Sequence, residues 1–496
     1  MLRFVTFILF AVVACSHAVN AKPNVLFIAI DDLNDWVGFL DGHPNASTPH
    51  MDELAKRGIV FSNAHCAAPL CCPSRAAIFS GQYPFRTGVY DNDDRIRQLR
   101  PNLKLLPIHF KENGYKTFGT GKLLHRKFAD LFDESFFTEQ RWSPFERREV
   151  DYTTDELPSK GTANPRHVVP AREGRGEIVL PLNRMPSDRN PENRKGESFD
   201  WGPFDIEDDE MGDGKVARWA AEHLKASHDK PFFLAIGFYR PHIPLYAPKK
   251  YFEQYAKRPP INPPFLPNDL EDLGPIGKHV ALFPQTAGKH ETVVKFDEWQ
   301  KAVEAYLACV SFVDAQIQLL IDALDKGPNS EDTIVMLWSD HGWHLGEKQH
   351  WGKWTGWERS TRVPFFVVPT KKRAADFQKG AVCPSAVSLL DMYPTLLELC
   401  DVTAPHRLDG ESLVDLMITP HKETNRAVVT TFGEDRFAVR DRHFRLVKYG
   451  DETEFYDHRT DPNEWHNLAN AAKYSTEIQR LEGELKRKLA RDISPN

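Results

Sequence analysis

Apolar runs and helically spaced apolar positions alternate along much of the chain. Asn24–Ile30, Phe232–Phe238 and Thr333–Trp338 are near-continuous apolar runs, a pattern that predicts strands buried on both faces. Between the last two runs, Glu304–Lys326 carries apolar side chains at helical spacing, which predicts an amphipathic helix. Such strands alternating with helices indicate an α/β fold, in which helices flank a large, mostly parallel sheet.

The pattern changes after residue 425. Short strand-like runs separated by polar turns cover Arg426–Phe432, Arg436–Arg440, Phe444–Tyr449 and Glu454–Tyr456. A helix follows whose apolar stripe is formed by Ile478, Leu481, Leu485 and Leu489. This order predicts a smaller antiparallel sheet with a helix against it. We therefore expect an α/β domain over residues 22–425 and a C-terminal α+β subdomain over residues 426–496.

Residues 126–200 interrupt the α/β pattern. They are rich in Pro, Arg, Glu and Asn and have weak periodicity, which predicts long loops at one edge of the sheet. Insertions of this kind more often shape the mouth of a binding site than add to the core.

The N-terminus carries a targeting signal. A short apolar run over residues 4–14 follows Arg3, and small residues precede Lys22, so residues 1–21 are predicted to be a secretory signal peptide. A lipoprotein-type box ending at Cys15 is an alternative, although it lacks the usual leucine. No other apolar stretch is expected to cross a membrane. The mature protein is predicted to be secreted or periplasmic, without a membrane partner unless Cys15 is lipidated.

The overall composition excludes several classes of protein. The chain has 496 residues, is 41% hydrophobic and has a formal net charge of −7, so it is not a disordered chain. Because acidic residues are in excess and the chain has no basic stripe, we expect no nucleic-acid partner. Seven cysteines are too few for a disulfide scaffold. The spacing of those after Cys15 leaves their pairing open.

Acidic and histidine residues follow the three predicted strands. Asp31 and Asp32 come after the first strand, His242 after the second, and Asp340 and His341 after the third. Ligands of open α/β sheets bind beyond the carboxyl ends of the strands, so these side chains are expected at one edge. Adjacent carboxylates that meet a third are costly without a cation. A hard divalent metal is therefore predicted there.

The segment from Leu70 to Gly81 carries the most specific chemistry. Pro73 suits the first position of a helix, which places Cys71 at the positive N-terminal end, where an anion would bind. By these arguments alone, Cys71 is either a thiol of depressed pKa or half of a disulfide.

Cys71-x-Pro73-Ser74-Arg75 followed by Ser80-Gly81 resembles the signature of type I sulfatases. Further residues in the order of that family are Asp31, Asp32, Gly121, Lys122, His125, His242, Asp340, His341, Gly342 and Lys353. The resemblance covers roughly residues 24–470. Within the family the chain is most similar to iduronate-2-sulfatases, through the stretches DDLNDW, FYRPHIPLYAPKKYF and SDHGWHLGEKQHWGKW.

The resemblance implies an alkaline-phosphatase-like fold, a modified residue and a metal. Cys71 would be oxidised to formylglycine by a formylglycine-generating enzyme during maturation. One Ca²⁺ ion would be held by Asp31, Asp32, residue 71, Asp340 and His341. Oxygen-rich ligation suits calcium on physical grounds as well.

The resemblance also implies roles in sulfate-ester hydrolysis. Residue 71 would be the nucleophile, activated by the metal and by Asp340. Arg75, Lys122 and Lys353 would neutralise the sulfate oxygens.

Two histidines complete the implied mechanism. His242 would protonate the leaving alcohol, and His125 would help remove a proton from the second hydroxyl of residue 71, which expels sulfate. The expected function is a secreted sulfatase acting on a sulfated carbohydrate, specifically 2-O-sulfated uronic acids of the iduronate type. Two alternatives remain: a phosphonate or phosphodiester hydrolase of the same superfamily, and a sulfated-glycan-binding protein in which Cys71 is not oxidised.

Overall fold

The computed structural model describes residues 22–93, 95–140, 144–145, 167–169, 176–189, 197–257 and 259–490. The predicted signal peptide, residues 1–21, and its Cys15 lie outside the described residues. Parts of the stretch predicted as loops, residues 126–200, also lie outside them.

The strands fall into one large sheet, a C-terminal sheet and several strand pairs. In chain order they are β1 (Asn24–Ile30), β2 (Ile59–Phe61), β3 (Ala64–His65), β4 (Lys116–Gly121), β5 (Glu134–Phe136), β6 (His167–Val169), β7 (Ile178–Leu180), β8 (Trp201–Phe204), β9 (Phe232–Phe238), β10 (Leu245–Pro248), β11 (Thr333–Ser339), β12 (His344–Leu345), β13 (Trp351–Gly352), β14 (Phe365–Val368), β15 (Val382–Cys383), β16 (Val387–Ser388), β17 (Val428–Thr431), β18 (Arg436–Arg440), β19 (Phe444–Tyr449) and β20 (Glu452–Asp457).

The helices connect these strands and cover the large sheet. They are α1 (Pro49–Ala55), α2 (Cys71–Ser80), α3 (Pro84–Thr87), α4 (Ile96–Leu99), α5 (Leu106–Glu112), α6 (Gly212–Lys225), α7 (Lys250–Glu253), α8 (Pro275–Leu282), α9 (His290–Lys295), α10 (Trp299–Lys326), α11 (Glu358–Thr361), α12 (Met392–Leu399), α13 (Val414–Ile418) and α14 (Ser475–Ala490). Short 3₁₀ turns occupy Gly38–Leu40, Ala129–Leu131, Asp208–Glu210, Glu347–Gln349, Lys371–Asp376, Leu389–Asp391 and Ala472–Tyr474.

The large sheet has eight strands in the order β15-β2-β14-β11-β1-β9-β4-β5. Among these described strands β14 alone runs antiparallel to its neighbours, so the prediction of a mostly parallel sheet is confirmed. Every residue of β1, β9 and β11 is buried, because helices cover both faces. Ile30 pairs with Phe238 on one side and with Ser339 on the other. The three central strands therefore end at the same level.

The long helix α10 begins at Trp299, five residues before the predicted start at Glu304. It is long and apolar enough by composition to cross a membrane, which the sequence analysis did not expect of any segment after the N-terminus. Most of this apolar stretch is buried inside the fold, where it packs against α1, α6 and β10. The apolar composition of α10 is therefore that expected of a helix buried in the core.

The C-terminal strands β17, β18, β19 and β20 form the predicted antiparallel sheet. Leu481 and Leu485 of α14 pack on this sheet in a cluster that also contains Ala77 of α2 and Tyr83. The predicted apolar stripe ends early, since Leu489 is 37% exposed. The C-terminal sheet thus supports the helix that begins at Cys71, while the domain boundary at residue 425 stays a prediction.

Two local predictions differ from the structure. Helix α2 begins at Cys71, so Pro73 is its third residue and not its first. Cys71 still lies at the N-terminal end, as expected. The loop-rich stretch contains the short strands β5, β6 and β7, and β5 extends the large sheet beside β4.

Candidate active site

The loops after β1, β9 and β11 are joined by hydrogen bonds at the carboxyl edge of the sheet. The Asp31 amide donates to the Phe238 carbonyl at 3.2 Å, and the Asp340 amide donates to the Ile30 carbonyl at 3.2 Å. Asp32 turns the chain with a left-handed φ of 62°, and Tyr306 of α10 donates its hydroxyl to the Asp32 carbonyl at 2.7 Å. The level strand ends and these bonds fix the acidic side chains beside one another.

Helix α2 brings Cys71 to the same edge. Ser74 donates its hydroxyl to the Asp340 carbonyl at 2.6 Å, which ties the first turn of the helix to the end of β11. The helix ends at Gly81, whose φ of 71° is left-handed and favours glycine over residues that carry a Cβ. The signature residues from Cys71 to Gly81 therefore form one short helix that is anchored at its first turn and ended by a glycine.

Nitrogens of two lysines and of His341 lie next to the Cys71 sulfur. Sγ lies 3.2 Å from Nζ of Lys122, 3.0 Å from Nζ of Lys353 and 3.4 Å from Nε2 of His341. Lys122 is also in contact with a carboxylate oxygen of Asp31, and Lys353 lies 2.6 Å from Oδ1 of Asp32. All of these side chains are buried, so their charges interact with little screening.

The charges of this cluster shift its pKa values. Burial raises the pKa of the Cys71 thiol, but Lys122, Lys353 and His341 outweigh burial and hold this pKa well below its ordinary value. Burial raises the pKa of Asp32 to about 7, although Lys353 opposes this effect. Position 71 is thus a place where the protein stabilises negative charge.

Arg75 lies behind the cluster and is fully buried. Its Nε donates to Oδ2 of Asp340 at 2.7 Å, and its Nη1 donates to the carbonyls of Lys122 and Leu123. Its Nη2 lies 3.4 Å from Oδ1 of Asp31. The guanidinium therefore joins the ends of β1, β4 and β11 in this structure.

The predicted metal ligands are brought together in part. Ligand atoms of Asp31, Asp32, Cys71 and His341 lie within 4.8 Å of one another. Asp340, which the sequence also suggested, lies next to this group but has its oxygens engaged. Its Oδ1 accepts from the amides of Asp32 and His341, and its Oδ2 accepts from Arg75.

His125 and His242 face a cavity that opens beside Cys71. The cavity has a volume of about 360 Å³, and Lys353 and Trp343 also line it. Both histidine side chains hydrogen-bond the Cys71 sulfur. Burial, together with the charges of Lys353 and Lys122, lowers the pKa of His242 to about 3, so this ring is neutral at pH 7.

Sequence reasoning missed several residues of the cavity wall. Arg189, Ser198, Gln285 and Thr286 line it together with Asn92. They come from irregular segments, and the sequence carries no spacing signal that would place them at the end of β9. Only the general expectation that loops within 126–200 shape a binding mouth pointed to Arg189 and Ser198.

A second group of two carboxylates and a histidine lies between α11 and the C-terminal sheet. Glu358, His458 and Glu464 have ligand atoms close together. Arg445 contacts Glu358 and lies 2.6 Å from Glu464, and Arg440 lies 3.3 Å from Glu358. The two arginines compensate the carboxylate charge, so this group is an ion-pair network in which Glu464 is buried and Glu358 and His458 are half-buried.

The described cysteines are all free thiols, which settles the pairing that the sequence left open. They are Cys66, Cys71, Cys72, Cys309, Cys383 and Cys400. Their burial is typical of unpaired cysteines in a protein core.

Two family profiles match the chain. The profile described as Sulfatase covers residues 23–402, and the profile described as N-sulphoglucosamine sulphohydrolase, C-terminal, covers residues 346–491. The chain belongs to the sulfatase family. The predicted membership and the sulfatase class of enzyme are thereby confirmed.

Similar proteins agree with this assignment. A sulfatase of Formosa agariphila is 37% identical over 472 residues, which cover 93% of this chain and 85% of that protein. Iduronate 2-sulfatase of Homo sapiens is 27% identical over 422 residues, covering 77% of this chain and 70% of that protein. The solved phosphonate monoester hydrolase of Agrobacterium radiobacter superposes with a TM-score of 0.73 over 94% of this chain and 95% of that chain, at 19% identity. This last likeness shows the shared fold.

Proposed function

We propose that this sulfatase depends on calcium and on formylglycine at position 71, and that it hydrolyses sulfate esters of a sulfated carbohydrate. The observation that carries the proposal is the surroundings of the Cys71 sulfur. Three nitrogens of Lys122, Lys353 and His341 lie within 3.4 Å of it, at the N-terminal end of a buried helix. The two ammonium groups of Lys122 and Lys353 are preorganised donors that stabilise the anionic oxygens of an ester under attack.

The residues at the acidic end of the site fit a calcium ion. Asp31, Asp32, residue 71 and His341 would hold it. Within the described part of the chain, Oδ2 of Asp32 is buried without a hydrogen-bond partner, which is costly unless a cation satisfies it. Nδ1 of His341 lies 3.1 Å from the Gly342 carbonyl, an orientation that leaves Nε2 to ligate. Bound calcium supplies a Lewis acid that stabilises negative charge on residue 71 and on the ester.

Position 71 is proposed to carry formylglycine, made from Cys71 by a formylglycine-generating enzyme. The hydrated aldehyde supplies a hydroxyl nucleophile for sulfur. Cys71, Pro73 and Arg75 keep the residues of the family signature. Lys122 and Lys353 bind the oxygens of the ester, because both amines already lie within hydrogen-bond distance of residue 71.

Arg75 is proposed to act differently from the two lysines. Its donors are engaged with Asp340, Asp31 and two main-chain carbonyls, so its role is to position the acids and the loop that carries Lys122. Asp340 shares this network and stays beside the nucleophile.

His242 and His125 are proposed to move the protons. The Nδ1 atom of His242 lies 2.6 Å from the Ile243 carbonyl, which leaves Nε2 facing residue 71 and the leaving oxygen. Because His242 is neutral at pH 7 in the free protein, it acquires its proton when an anionic ester enters and raises its pKa. It then donates that proton to the alcohol, while His125 accepts one from residue 71.

The proposed substrate is a 2-O-sulfated uronic acid residue at a chain end. The identity with iduronate 2-sulfatase supports this class, as does a cavity of about 360 Å³ whose wall includes Trp343, an aromatic surface on which a sugar ring can stack. Secretion through the signal over residues 1–21 is part of the proposal, since sulfated polysaccharides lie outside the cytoplasm.

The test combines mass spectrometry with turnover. Peptide mass across residue 71, measured on protein from its native host, is expected to show an aldehyde. The same preparation should release sulfate from sulfated saccharides and from nitrophenyl sulfate, Cys71→Ala should release none, and Cys72→Ala should remain active as the matched control. Faster turnover of a nitrophenyl phosphonate would favour the phosphonate hydrolase. A plain thiol at residue 71 with saccharide binding but no turnover would favour a binding protein.

A further inference from the structure

Arg189 is a cation of the cavity wall that the sulfate-binding cluster does not use. It lines the same cavity as Lys353 and His242. About 23% of its side chain is exposed, whereas Lys353 is only 4% exposed. A substrate in the cavity can therefore reach Arg189 without displacing the groups around Cys71.

A short chain of hydrogen bonds joins Arg189 to the lysine beside the nucleophile. Nη1 of Arg189 donates to the Thr286 carbonyl at 3.1 Å, and the amide of Lys353 donates to the Thr286 hydroxyl at 3.1 Å. One residue thus separates the guanidinium from the main chain of Lys353. A sugar whose sulfate contacts the Lys353 side chain would occupy the cavity that Arg189 also lines.

The guanidinium is fixed before any ligand binds. Nη2 contacts a carboxylate oxygen of Glu197 and donates to Oγ of Ser198 at 2.8 Å. Glu197 is held in turn, because it accepts from the Phe199 amide at 2.8 Å and from the Ser187 hydroxyl. A side chain held in this way loses little rotamer entropy when it binds.

The neighbouring Asp188 anchors the segment that carries Arg189. Its carboxylate accepts from the Lys289 amide at 2.8 Å and from the Thr292 hydroxyl at 2.9 Å. Arg189 is therefore part of a built wall tied to helix α9.

The guanidinium retains hydrogen-bonding capacity. An arginine has five N–H groups, and described residues accept from three of them, namely Thr286, Glu197 and Ser198. Nε has no acceptor among the described residues but is itself buried, so the remaining hydrogen of Nη1 is the donor left for a ligand. That hydrogen and the positive charge of the guanidinium suit one oxygen of a carboxylate.

We propose that Arg189 determines specificity by binding the carboxylate of the sugar that carries the sulfate ester. The proposal rests on the proposed sulfatase function and names a second anionic group on its substrate. A second sulfate group on the sugar offers similar chemistry, and the choice of substrates separates the two.

The experiment compares matched esters with protein shown to carry the aldehyde at residue 71. The substrates are a 2-O-sulfated uronic acid glycoside, its carboxyl-reduced counterpart, a disulfated neutral sugar and nitrophenyl sulfate. Arg189→Gln is the test variant and Arg184→Gln is the control, because Arg184 is exposed on the same segment and does not line the cavity. Arg189→Lys keeps the charge but not the planar guanidinium that Thr286, Glu197 and Ser198 hold in place.

Arg189→Gln is expected to lower kcat/KM for the uronic acid ester by about 10- to 100-fold, mainly through KM, as expected for the loss of a charged hydrogen bond. The reduced ester and nitrophenyl sulfate should change less than about threefold, and Arg189→Lys should recover only part of the loss. Arg184→Gln should match the parent protein on all four esters.

Other outcomes overturn the proposal or its foundation. Equal losses on all esters would make Arg189 a structural residue, and equal turnover of the acid and its reduced form by the parent would exclude carboxylate recognition. A loss confined to the disulfated sugar would replace the carboxylate by a second sulfate. If the parent hydrolyses nitrophenyl sulfate but no uronic acid ester, this inference fails and the sulfatase stands. Release from no ester at all would reject the sulfatase function itself.

Discussion

Nε of Arg75 lies 2.7 Å from Oδ2 of Asp340, and neither side chain is exposed. This pair joins the first turn of the helix that carries Cys71 to the end of β11. The same guanidinium also reaches the carbonyls of Lys122 and Leu123. The pair therefore holds the nucleophile, one acid and one lysine of the site in register.

Removing Arg75 should damage both stability and activity. Arg75→Ala leaves Asp340 as a buried charge without its partner, and breaking such pairs costs about 3–5 kcal/mol of unfolding free energy. Urea denaturation followed by fluorescence measures this loss. The control is Arg97→Ala, because Arg97 and Asp130 form an exposed pair that contributes about 1 kcal/mol or less. Equal stability of the two variants would contradict the role assigned to Arg75.

Calcium should stabilise the protein through Asp32. A ligand that binds the folded state raises the unfolding free energy, by about 2.7 kcal/mol at a concentration of 100 times Kd. We expect the melting temperature to rise when calcium is added to chelator-treated protein, and to rise much less in Asp32→Asn. Asp376→Asn, at an exposed position, should respond like the parent. Calorimetric titration with calcium alone gives the number of ions bound per chain, and absence of binding would reject the metal site.

Stability should fall in acid because of the network around Glu358. Burial opposes the ionisation of Glu358, but Arg440, His458 and Arg445 outweigh it and hold the pKa well below its ordinary value of 4.5. A carboxylate of lowered pKa stabilises the fold fully above pH 4.5, and this contribution is lost as the pH falls below that value. Glu358→Gln should therefore cost about 3 kcal/mol at pH 7.

The pH dependence of that cost is the decisive part of the measurement. Denaturation of the parent and of Glu358→Gln at several pH values between 7 and 3.5 should show the difference shrinking below pH 4.5. Glu423→Gln, at an exposed position, should follow the parent at every pH. A difference that stays constant down to pH 3.5 would mean that the charge of Glu358 does not stabilise the fold.

Asp213 should control the placement of His242. Its two carboxylate oxygens accept from the amides of Tyr239 and Arg240, at 2.7 and 2.9 Å, and the Arg240 side chain contacts the His242 carbonyl. Asp213→Ala frees this loop, and we expect kcat to fall by about 10- to 100-fold because misplacement of a catalytic group is costly. Steady-state kinetics checks this, with Asp209→Asn on the surface as the control. An unchanged pH profile and kcat in Asp213→Ala would reject it.

The central strands could be predicted from sequence because burial on both faces leaves an unmistakable run of apolar residues. Asn24–Ile30 and Phe232–Phe238 have the predicted bounds. The start of α2 could not be placed, since Leu70 precedes it without a side-chain cap. Without such a cap, Pro73 was the strongest local signal for the start of the helix.

The site was predictable only where residues follow strands or belong to a motif. The engagement of Asp340 with Arg75 and two amides depends on how β11 meets α2, and no local pattern encodes that contact. The same holds for Arg189 and Thr286, which are 97 residues apart and meet through one hydrogen bond. Long-range packing decides such contacts.

Because β1, β9 and β11 end at the same level, the length of each strand sets the position of the site residues that follow it. A strand advances about 3.3 Å per residue and turns its side chains to the opposite face with each step. Deleting one residue inside any of these strands would therefore move Asp31, Asp340 or the His242 loop away from its partners. The same deletion would turn the side chains of part of the strand to the opposite face of the sheet. We therefore expect insertions and deletions to be tolerated in the loops between elements but not within these three strands.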